Sequence, residues 1–567
     1  MKKYAILIIP LVLAFASSYI QGVAEGAYDT FANGTSFFQS SIQEGNQLEP
    51  ATQFAVIIVN DSLRYKDSLE LKTLNTLRED GADFLSHVGQ PSYSLPGYVT
   101  IPTGAFPEIT GVTSNYYEGA PIDNIFRAAK DAGLTTAIVS GSDSWKKLFG
   151  DYVDVCYSYS PDRKELDLIK ETNLNIKEKS IEVIETCKPH LFLIHFSGTD
   201  EASHKYGGNS SEYKEVAVQQ DTFIAEILEH YNLDETVVFI TSDHGHIDKG
   251  GHGGWEEETL TVPLVMYGAP INPGIGEAVN TDIAPTVAAV LGIRIPTHSQ
   301  GRILLNGLDV ADRIKASWML QLAEQRRIFS GFYLGVLGAE IMIDVNYTDA
   351  VDFFNEEDYQ ESLESSEKSI NTSAHLMEEA KKEKITGERL RRVPFFLAIV
   401  GLPLVIGFFA IRRKWITKRM VYIAAICGIS YIFLFNIIFF VTGNTYSLST
   451  INDDPDIGPF FNMMALLGVL LPLIIMAFAG GYLRKEKKFE IVMYCWIASA
   501  VISYIMVVQL GFHYLLQDNG ISWYMPNMLL GFKYYVDAMQ FVPLGYTSLL
   551  HPFVGLISAI VVVKLRK

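Results

Sequence analysis

Cysteine and basic side chains are both scarce in this chain of 567 residues. Its 4 cysteines lack zinc-knuckle spacing, which excludes a cysteine-based metal site. The 64 Asp and Glu residues outnumber the 45 Lys and Arg residues, and the net charge of −19 argues against nucleic-acid binding, which needs a basic surface. Two interpretations stay open for Cys156 and Cys187: a disulfide in an oxidising compartment, or two free thiols.

Charge of either sign is missing from five long stretches near the C-terminus. Each stretch is close to or above the roughly 20 residues that cross a bilayer as a helix. The stretches are Val393–Ile411, Val421–Val441, Ile457–Leu483, Ile491–Leu510 and Phe541–Val563. Because five in succession exclude the buried helices of a soluble protein, residues 391–567 are predicted to form a transmembrane domain.

Lys and Arg residues lie at alternate ends of these stretches. They cluster at 412–419, at 484–488 and at 564–567, whereas the opposite loops are mostly acidic. Because basic loops stay in the cytoplasm, residues up to about 390 are predicted to lie outside the cell membrane. Arg389, Arg391 and Arg392 disagree with this orientation, and the alternation of the later loops outweighs them.

The N-terminus has the pattern of an export signal. Met1-Lys2-Lys3 precedes the apolar stretch Tyr4–Ala16, which ends in small residues around one large residue. Within residues 1–20 a cleaved signal peptide and an uncleaved anchor both fit this pattern, and both would export the residues that follow.

Apolar, strand-like runs alternate with helical patterns over residues 50–310. The runs are Phe54–Val59, Thr135–Ser140, His190–His195 and Thr236–Thr241, and the helical patterns include Asp67–Arg78, Ile122–Ala132 and Glu212–Tyr231. This alternation predicts an α/β domain with a mostly parallel sheet and helices on both faces. Residues 311–390 are charged and helical in pattern, which predicts a stalk between this domain and the membrane.

Aspartate and histidine residues follow these runs in an order that fits a two-metal phosphate-ester site. Asp61, Asp200 and Asp243 lie one to five residues past a run, where parallel sheets bind their ligands. The predicted ligands of one metal are Asp200, His204 and His252, and those of the other are Asp61, Asp243, His244 and the Ser94 oxygen. Two cations about 4 Å apart serve the attacking and leaving oxygens of a phosphoester. Zinc is the expected metal, since it takes nitrogen and carboxylate ligands.

Each of these residues has an ordinary structural explanation when it is taken singly. An aspartate after a strand is often a helix cap, and Ser94-Leu95-Pro96 fits a helix N-cap with proline in the first turn. The two-metal interpretation is favoured because order, spacing and residue type agree across the whole set.

The same segments carry a family resemblance. They are Ile57–Arg64, Pro91–Tyr98, Thr199–Gly207, Ser242–Gly245, Gly251–Gly253 and Asp282–Thr286, all within residues 53–305. Together they resemble the alkaline phosphatase superfamily, in particular its type I phosphodiesterase/nucleotide pyrophosphatase and GPI ethanolamine-phosphate transferase branch. The resemblance implies an alkaline-phosphatase-like fold, Ser94 as the nucleophile, and the metal ligands named above.

The chain departs from the family pattern at several positions. Ser62 stands where glycine is usual, and His246 replaces the usual methionine; no role is assigned to His246. Gly97 and Tyr98 replace the Asn and His of nucleotide phosphodiesterases, and glycine there is closer to the GPI-type transferases. No arginine follows Ser94, as one does in the monoesterase alkaline phosphatases, which favours a diester substrate.

The residues and the resemblance predict two-step phosphoryl transfer through a phospho-serine at Ser94. Water as the second acceptor makes a phosphodiesterase, and a sugar or lipid hydroxyl makes a transferase; the membrane half suits a lipid-linked substrate. The alternatives are an alkaline phosphatase-type phosphomonoesterase and a phosphoethanolamine-type transferase acting on lipid-linked glycans. By hypothesis Tyr98, Tyr206 and Trp255 line the leaving-group pocket, and they could equally belong to the core.

Three other classes fit less well. Phosphoglycerate mutases with a related ligand set are soluble, and sulfatases need a Cys/Ser-x-Pro-x-Arg context that is absent around Ser94. A transporter would rest on the membrane stretches, where His551 and Asn436 are the notable polar residues. The intact ligand set argues against a catalytically inactive receptor domain.

Overall fold

The computed structural model describes residues 8–33, 38, 40–117, 122–161, 165–340, 344–445, 447–451, 454–483, 485–512 and 545–564. The chain divides into two compact units. One unit comprises Asn33–Lys384, and the other comprises Met1–Ala32 together with Ile385–Lys567.

An eight-stranded sheet forms the centre of the first unit. Its strands are β1 (Phe54–Asn60), β2 (Ala82–His87), β3 (Thr136–Ser140), β4 (Val155–Ser158), β5 (Leu191–Phe196), β6 (Thr236–Thr241), β7 (Thr261–Gly268) and β8 (Gly274–Val279). Their order is β4-β3-β5-β1-β6-β7-β2-β8. The described neighbours pair in parallel, except that β7 runs antiparallel to β2 and to β6. The sheet is therefore mostly parallel, as predicted.

Helices cover both faces of this sheet. Along β1, Ile57 and Val59 pack into one apolar cluster, and Val56 and Ile58 pack into another on the opposite face. The α-helices are Tyr65–Ser68, Lys72–Asp80, Ser94–Thr103, Pro107–Thr110, Ile125–Asp131, Asp143–Phe149, Leu166–Cys187, Gly198–Tyr206, Ser211–Leu228, Glu257–Leu260, Ile283–Leu291, Asp312–Leu337 and Val345–Asn355, with 3-10 turns at Gly150–Tyr152, Asn280–Asp282 and Leu305–Gly307. The continuous apolar runs of the central strands follow from burial on both sides.

The four predicted strands form within one residue of their expected bounds. The predicted helix Asp67–Arg78 is instead two helices, Tyr65–Ser68 and Lys72–Asp80. Strands β2, β4, β7 and β8 lie outside the prediction. The sequences of β2, β4 and β8 lack long apolar runs, since β4 is short and β8 has exposed positions at the edge of the sheet. Strand β7 does contain an apolar run, over residues 262–267.

The predicted stalk region is helical, but its first helix packs against the apolar core of the first unit. Trp318 in Asp312–Leu337 is fully buried in the main apolar cluster, and its Nε1 donates to the Glu49 carbonyl at 2.9 Å. The third helix, Tyr359–Arg412, contains the boundary between the two units. Within the first unit Lys381 of this helix forms a buried ion pair with Glu108 at 2.5 Å.

The second unit contains the apolar helices. Its elements include Ile9–Asn33, Lys418–Val441, Leu448–Thr450, Asp454–Tyr482, Lys488–Gly511 and His551–Lys564. Four helices, counting Tyr359–Arg412, are long and apolar enough to cross a membrane, so the chain is a multi-pass membrane protein. Of the fifth predicted span, the described part forms the shorter helix His551–Lys564, and residues 541–544 lie outside the described residues.

Two further expectations concern the N-terminus and the cysteines. The apolar N-terminal stretch continues as the helix Ile9–Asn33, and within the same unit Ala14 accepts a hydrogen bond from Ser548 at 3.5 Å. Signal peptide and anchor both stay predictions.

Cys156 and Cys187 are free thiols, half-buried and exposed respectively, so the disulfide interpretation does not apply.

Candidate active site

Three neighbouring parallel strands bring the predicted aspartates to one edge of the sheet. Asp61 directly follows β1, Asp200 follows β5, and Asp243 follows β6, and β1 lies between the other two strands. The Asp61 amide continues the ladder by donating to the Phe196 carbonyl at 2.9 Å. The carboxyl ends of these strands thus position acidic side chains where α/β sheets bind their ligands.

Asp61, Asp243 and His244 form one cluster, which we call the strand-end group. His244 Nε2 lies 3.5 Å from Asp61 Oδ1 and 3.4 Å from Asp243 Oδ2. His244 Nδ1 lies 3.0 Å from the Gly245 carbonyl, so it carries the proton and leaves the Nε2 lone pair directed at the carboxylates. The Ser62 amide donates to Asp243 Oδ1 at 3.2 Å, which leaves Oδ2 facing the histidine.

Asp200, His204 and His252 form the second cluster, which we call the helix–loop group. His204 Nε2 lies 3.4 Å from Asp200 Oδ1, as the i, i+4 spacing on helix Gly198–Tyr206 predicts. His252 Nε2 lies 3.0 Å from His204 Nε2 and 3.5 Å from Asp200 Oδ1. The two groups adjoin, because the His244 and His252 rings stack with centroids 3.9 Å apart.

The loop that carries His252 is held against the predicted nucleophile segment. His252 Nδ1 donates to the Ser92 carbonyl at 2.9 Å, and the Gly253 amide donates to Ser92 Oγ at 2.9 Å. Gly253 has a φ of +98°, and a Cβ there would lie 2.4 Å from the Tyr93 ring. Glycine at this position therefore allows the loop to turn the imidazole toward Asp200.

Ser94 begins helix Ser94–Thr103 beside the strand-end group. Its Oγ lies 3.2 Å from His244 Nε2. Gly97, one turn along, packs so closely that a Cβ would lie 2.8 Å from the Asp243 backbone oxygen. Glycine at this position, where nucleotide phosphodiesterases have asparagine, thus permits this close approach. On the other side the Leu95 amide donates to Asn115 Oδ1 at 3.0 Å, which brings the Asn115 amide group near the serine.

The two groups differ in the charge state that they favour without a cation. Burial, together with the neighbouring carboxylates Asp243 and Asp200, raises the pKa of Asp61 to about 7. Burial and the charge of Asp200 likewise raise the pKa of Asp243 to about 7. The strand-end group thus concentrates negative charge that water does not solvate.

Asp200 in the helix–loop group has the opposite shift. Burial alone would raise its pKa, but the imidazoles of His204 and His252 hold the pKa well below its usual range. Burial lowers the pKa of His252, and its neighbour His244 lowers it further. A neutral imidazole beside an ionised carboxylate is the protonation state that a metal ligand requires.

The unpaired atoms of the site fit divalent cations. Asp61 Oδ1, Asp200 Oδ1 and Asp243 Oδ2 are buried oxygens without a hydrogen-bond partner, and each faces an imidazole nitrogen. Two sets of donor atoms, Asp61–Asp243–His244 and Asp200–His244–His252, are each compact enough to hold an ion. The two sets share His244, so with two ions bound His204 would replace His244 beside Asp200 and His252. Most donor separations within the groups are near the roughly 3.3 Å edge of a tetrahedron with metal bonds of about 2.05 Å. The residues present therefore fit a pair of cations.

Two buried side chains, Tyr98 and His195, make contacts with this site that the sequence did not predict. Tyr98 is buried and donates its hydroxyl to Asp61, so the hypothesis that it lines a leaving-group pocket is wrong. His195 on β5 lies 3.1 Å from Asp61 Oδ2. The sequence feature that could have identified His195 is its position as the polar residue of an otherwise apolar strand. Tyr206 packs beside a small apolar cluster, whereas Trp255 is 46% exposed close to the His252 loop.

Comparison with known proteins supports the resemblance. The family model described as type I phosphodiesterase / nucleotide pyrophosphatase matches residues 129–252. The human GPI ethanolamine phosphate transferase 1 is 25% identical over 343 residues, covering 50% of this chain and 36% of that protein. The human GPI ethanolamine phosphate transferase 3, catalytic subunit, is 26% identical over 231 residues, covering 39% of this chain and 21% of that protein. The resemblance read from the motifs is thus confirmed, although the match spans about a third or less of these relatives.

Solved structures were also found to be similar. Murine ectonucleotide pyrophosphatase / phosphodiesterase 5 has a TM-score of 0.37 at 12% identity, covering 45% of this chain and 100% of that one. The wild-type alkaline phosphatase PafA has a TM-score of 0.39 at 11% identity, covering 46% and 100%. Both TM-scores are too low to establish a shared fold by themselves.

Proposed function

We propose that this protein is a membrane-bound, metal-dependent phosphodiesterase or phosphotransferase in which Ser94 is the nucleophile. The observation that carries the proposal is the position of Ser94 Oγ, 3.2 Å from His244 Nε2. The same nitrogen lies 3.5 Å from Asp61 Oδ1 and 3.4 Å from Asp243 Oδ2, two buried oxygens that lack hydrogen-bond partners. Two divalent cations, with zinc expected, would polarise the phosphoryl oxygens and make the serine hydroxyl more acidic. Asp61, Asp243 and His244 would hold one cation and Asp200, His204 and His252 the other.

The first step forms a covalent phospho-serine. Ser94 Oγ bonds to phosphorus, the bond from phosphorus to the leaving alkoxide breaks, and the proton lost by Ser94 is balanced by the one that the alkoxide takes up. In the second step the oxygen of water or of an acceptor hydroxyl bonds to phosphorus, the bond from phosphorus to Ser94 Oγ breaks, and the proton lost by the acceptor is balanced by the one that Ser94 Oγ takes up. The Leu95 amide donates to Asn115 Oδ1 and holds that side chain next to Ser94, so the Asn115 amide N–H group would be available to orient a phosphoryl oxygen.

The substrate proposed is a phosphodiester that is linked to a lipid. Leu95 follows Ser94 where a cationic side chain would be needed to bind the second negative charge of a monoester. The relatives transfer ethanolamine phosphate by name, and the chain is a multi-pass membrane protein. Basic loops at 412–419 and 484–488 support a catalytic unit outside the cell membrane. Together these features favour transfer of a phosphate-linked head group between lipid and glycan hydroxyls.

The nucleophile is tested with the full-length chain in detergent and bis-p-nitrophenyl phosphate as substrate. Ser94→Ala is expected to lower turnover by about 10³-fold or more while the bound metal persists. Ser180→Ala is the matched control, because it removes a buried serine hydroxyl that bonds only within its own helix. If Ser94→Ala retains turnover, Ser94 is not the nucleophile, and Ser92 becomes the first alternative to test.

The acceptor is tested by mass spectrometry of membrane lipids and glycans incubated with the enzyme. A transferase yields a glycan or lipid that gains the mass of a phosphate-linked head group, and this product is absent with Ser94→Ala. A hydrolase yields only the two cleavage products. Equal rates on p-nitrophenyl phosphate and bis-p-nitrophenyl phosphate would contradict the proposed preference for diesters.

A further inference from the structure

Two side chains hold Asp61 by hydrogen bonds to the same one of its two carboxylate oxygens. Tyr98 lies one turn after Ser94 on the same helix, and its hydroxyl donates to Asp61 Oδ2. His195 Nε2 lies 3.1 Å from the same oxygen, and a carboxylate can only accept, so Nε2 carries the proton. Both donors therefore meet at Oδ2.

The position of His195 is fixed by the register of the sheet. His195 on β5 lies opposite Val59 on β1, two residues before Asp61, and opposite Ser140 on β3. Ser140 Oγ lies 3.2 Å from His195 Nδ1, so the ring is bonded at both nitrogens. Tyr98 is fixed as well, because its ring stacks on buried Trp145 with centroids 4.7 Å apart.

The second oxygen of Asp61 is left without a partner. Oδ1 is buried, has no hydrogen bond, and lies 3.5 Å from His244 Nε2. Turning the carboxylate so that neither oxygen meets these groups would leave the Tyr98 hydroxyl and the His195 Nε2–H buried without an acceptor, which is costly. Asp243 has the same asymmetry, but there the backbone amide of Ser62 and the Ser242 hydroxyl hold Oδ1. Asp61 differs because both of its donors at Oδ2 are side chains, which can be changed singly.

We infer that Tyr98 and His195 are positioning residues that fix Asp61 so that Oδ1 alone is offered to a divalent cation. This inference rests on the proposed two-metal function. Side chains that hold metal ligands typically contribute a factor of about 10 to 100 in metal affinity. The inference assigns Tyr98 to the metal centre and separates it from recognition of the leaving group, where the sequence had placed it.

The test measures zinc affinity of the full-length, detergent-solubilised chain by competition with a chromophoric chelator. Tyr98→Phe and His195→Leu should each lower the affinity for one of the two zinc ions by about 10-fold to 100-fold and leave the affinity for the other unchanged. His195→Gln, which keeps a donor near the Nε2 position, should restore much of the loss. Tyr213→Phe is the control, since that buried tyrosine donates to Asp67, which lies outside both groups.

The outcomes separate the inference from the function on which it rests. If the wild type binds two zinc ions and Tyr98→Phe binds both with unchanged affinity, the positioning role is overturned and the two-metal proposal stands. Fewer than two equivalents in the wild type would overturn both. If His195→Leu fails to fold, Tyr98→Phe decides the question, because it keeps the ring that packs on Trp145.

Discussion

The two metal-binding groups are built in different ways. The strand-end group lies on the loops that directly follow central strands, and its side chains are at most 3% exposed. The helix–loop group lies on a helix and a glycine-rich loop, and its Asp200 and His204 side chains are 16% and 13% exposed. We infer that the first group fixes the nucleophile, whereas the second opens to the leaving group and to the incoming acceptor.

The largest expected effect comes from breaking the strand-end group. Asp243→Asn removes a ligand whose other oxygen is held by a backbone amide, so no neighbouring side chain can replace it. Turnover of bis-p-nitrophenyl phosphate should fall by more than about 10³-fold even at saturating zinc. Metal analysis should find one equivalent lost and one retained.

A smaller loss is expected from the helix–loop group. His204→Asn removes the more exposed imidazole and leaves Asp200 and His252, so water can take the vacant position. Turnover should fall by about 10-fold to 100-fold, and added zinc should recover part of it. A loss as large as that of Asp243→Asn, without recovery by zinc, would contradict the difference between the two groups.

Removing the metals should destabilise the protein chiefly through the strand-end group. Without cations the buried carboxylates of Asp61 and Asp243 repel each other, and this repulsion contributes to the raised pKa of Asp61. Chelation from zinc at 100 times its dissociation constant should cost about 2.7 kcal/mol, or about 5 °C in Tm, for each metal that is removed. The chelator should change the Tm of Asp243→Asn by less than it changes the Tm of the wild type, because one metal is already absent. If the two Tm changes are equal, the stabilisation comes from the metal of the helix–loop group.

The sequence predicted the positions of the metal-binding aspartates better than it predicted the side chains that hold them in place. Asp61, Asp200 and Asp243 were predictable because carboxyl ends of parallel strands meet at one edge, whatever the exact register. The contact of His195 with Asp61 depends on which residue of β5 lies opposite Val59, and no local pattern specifies this. Strand β7 was missed for a similar reason, since its antiparallel pairing is set by neighbours far away in the sequence.

Two departures from the family pattern meet beside the strand-end group. Ser62 has a φ of +64°, a left-handed conformation in which the usual glycine has no strain. The Nδ1 atom of His246, which replaces the usual methionine, lies 2.8 Å from the Ser62 carbonyl and 3.1 Å from its hydroxyl. Both residues are fully buried. The histidine thus stabilises a serine whose backbone conformation would otherwise be unfavourable.

The smallest predicted effect is the coupling between these two residues. Ser62→Gly relieves the backbone strain and loses only the hydroxyl contact with His246, because the carbonyl contact remains. Its effect on the free energy of unfolding should therefore be small. His246→Met leaves the buried Ser62 carbonyl without that donor and should cost about 1–2 kcal/mol. In the double variant the two changes should deviate from additivity by about 0.5–1 kcal/mol in urea denaturation. Strict additivity would mean that the two departures are independent, and that the shell around Asp243 depends on the Ser62 backbone alone.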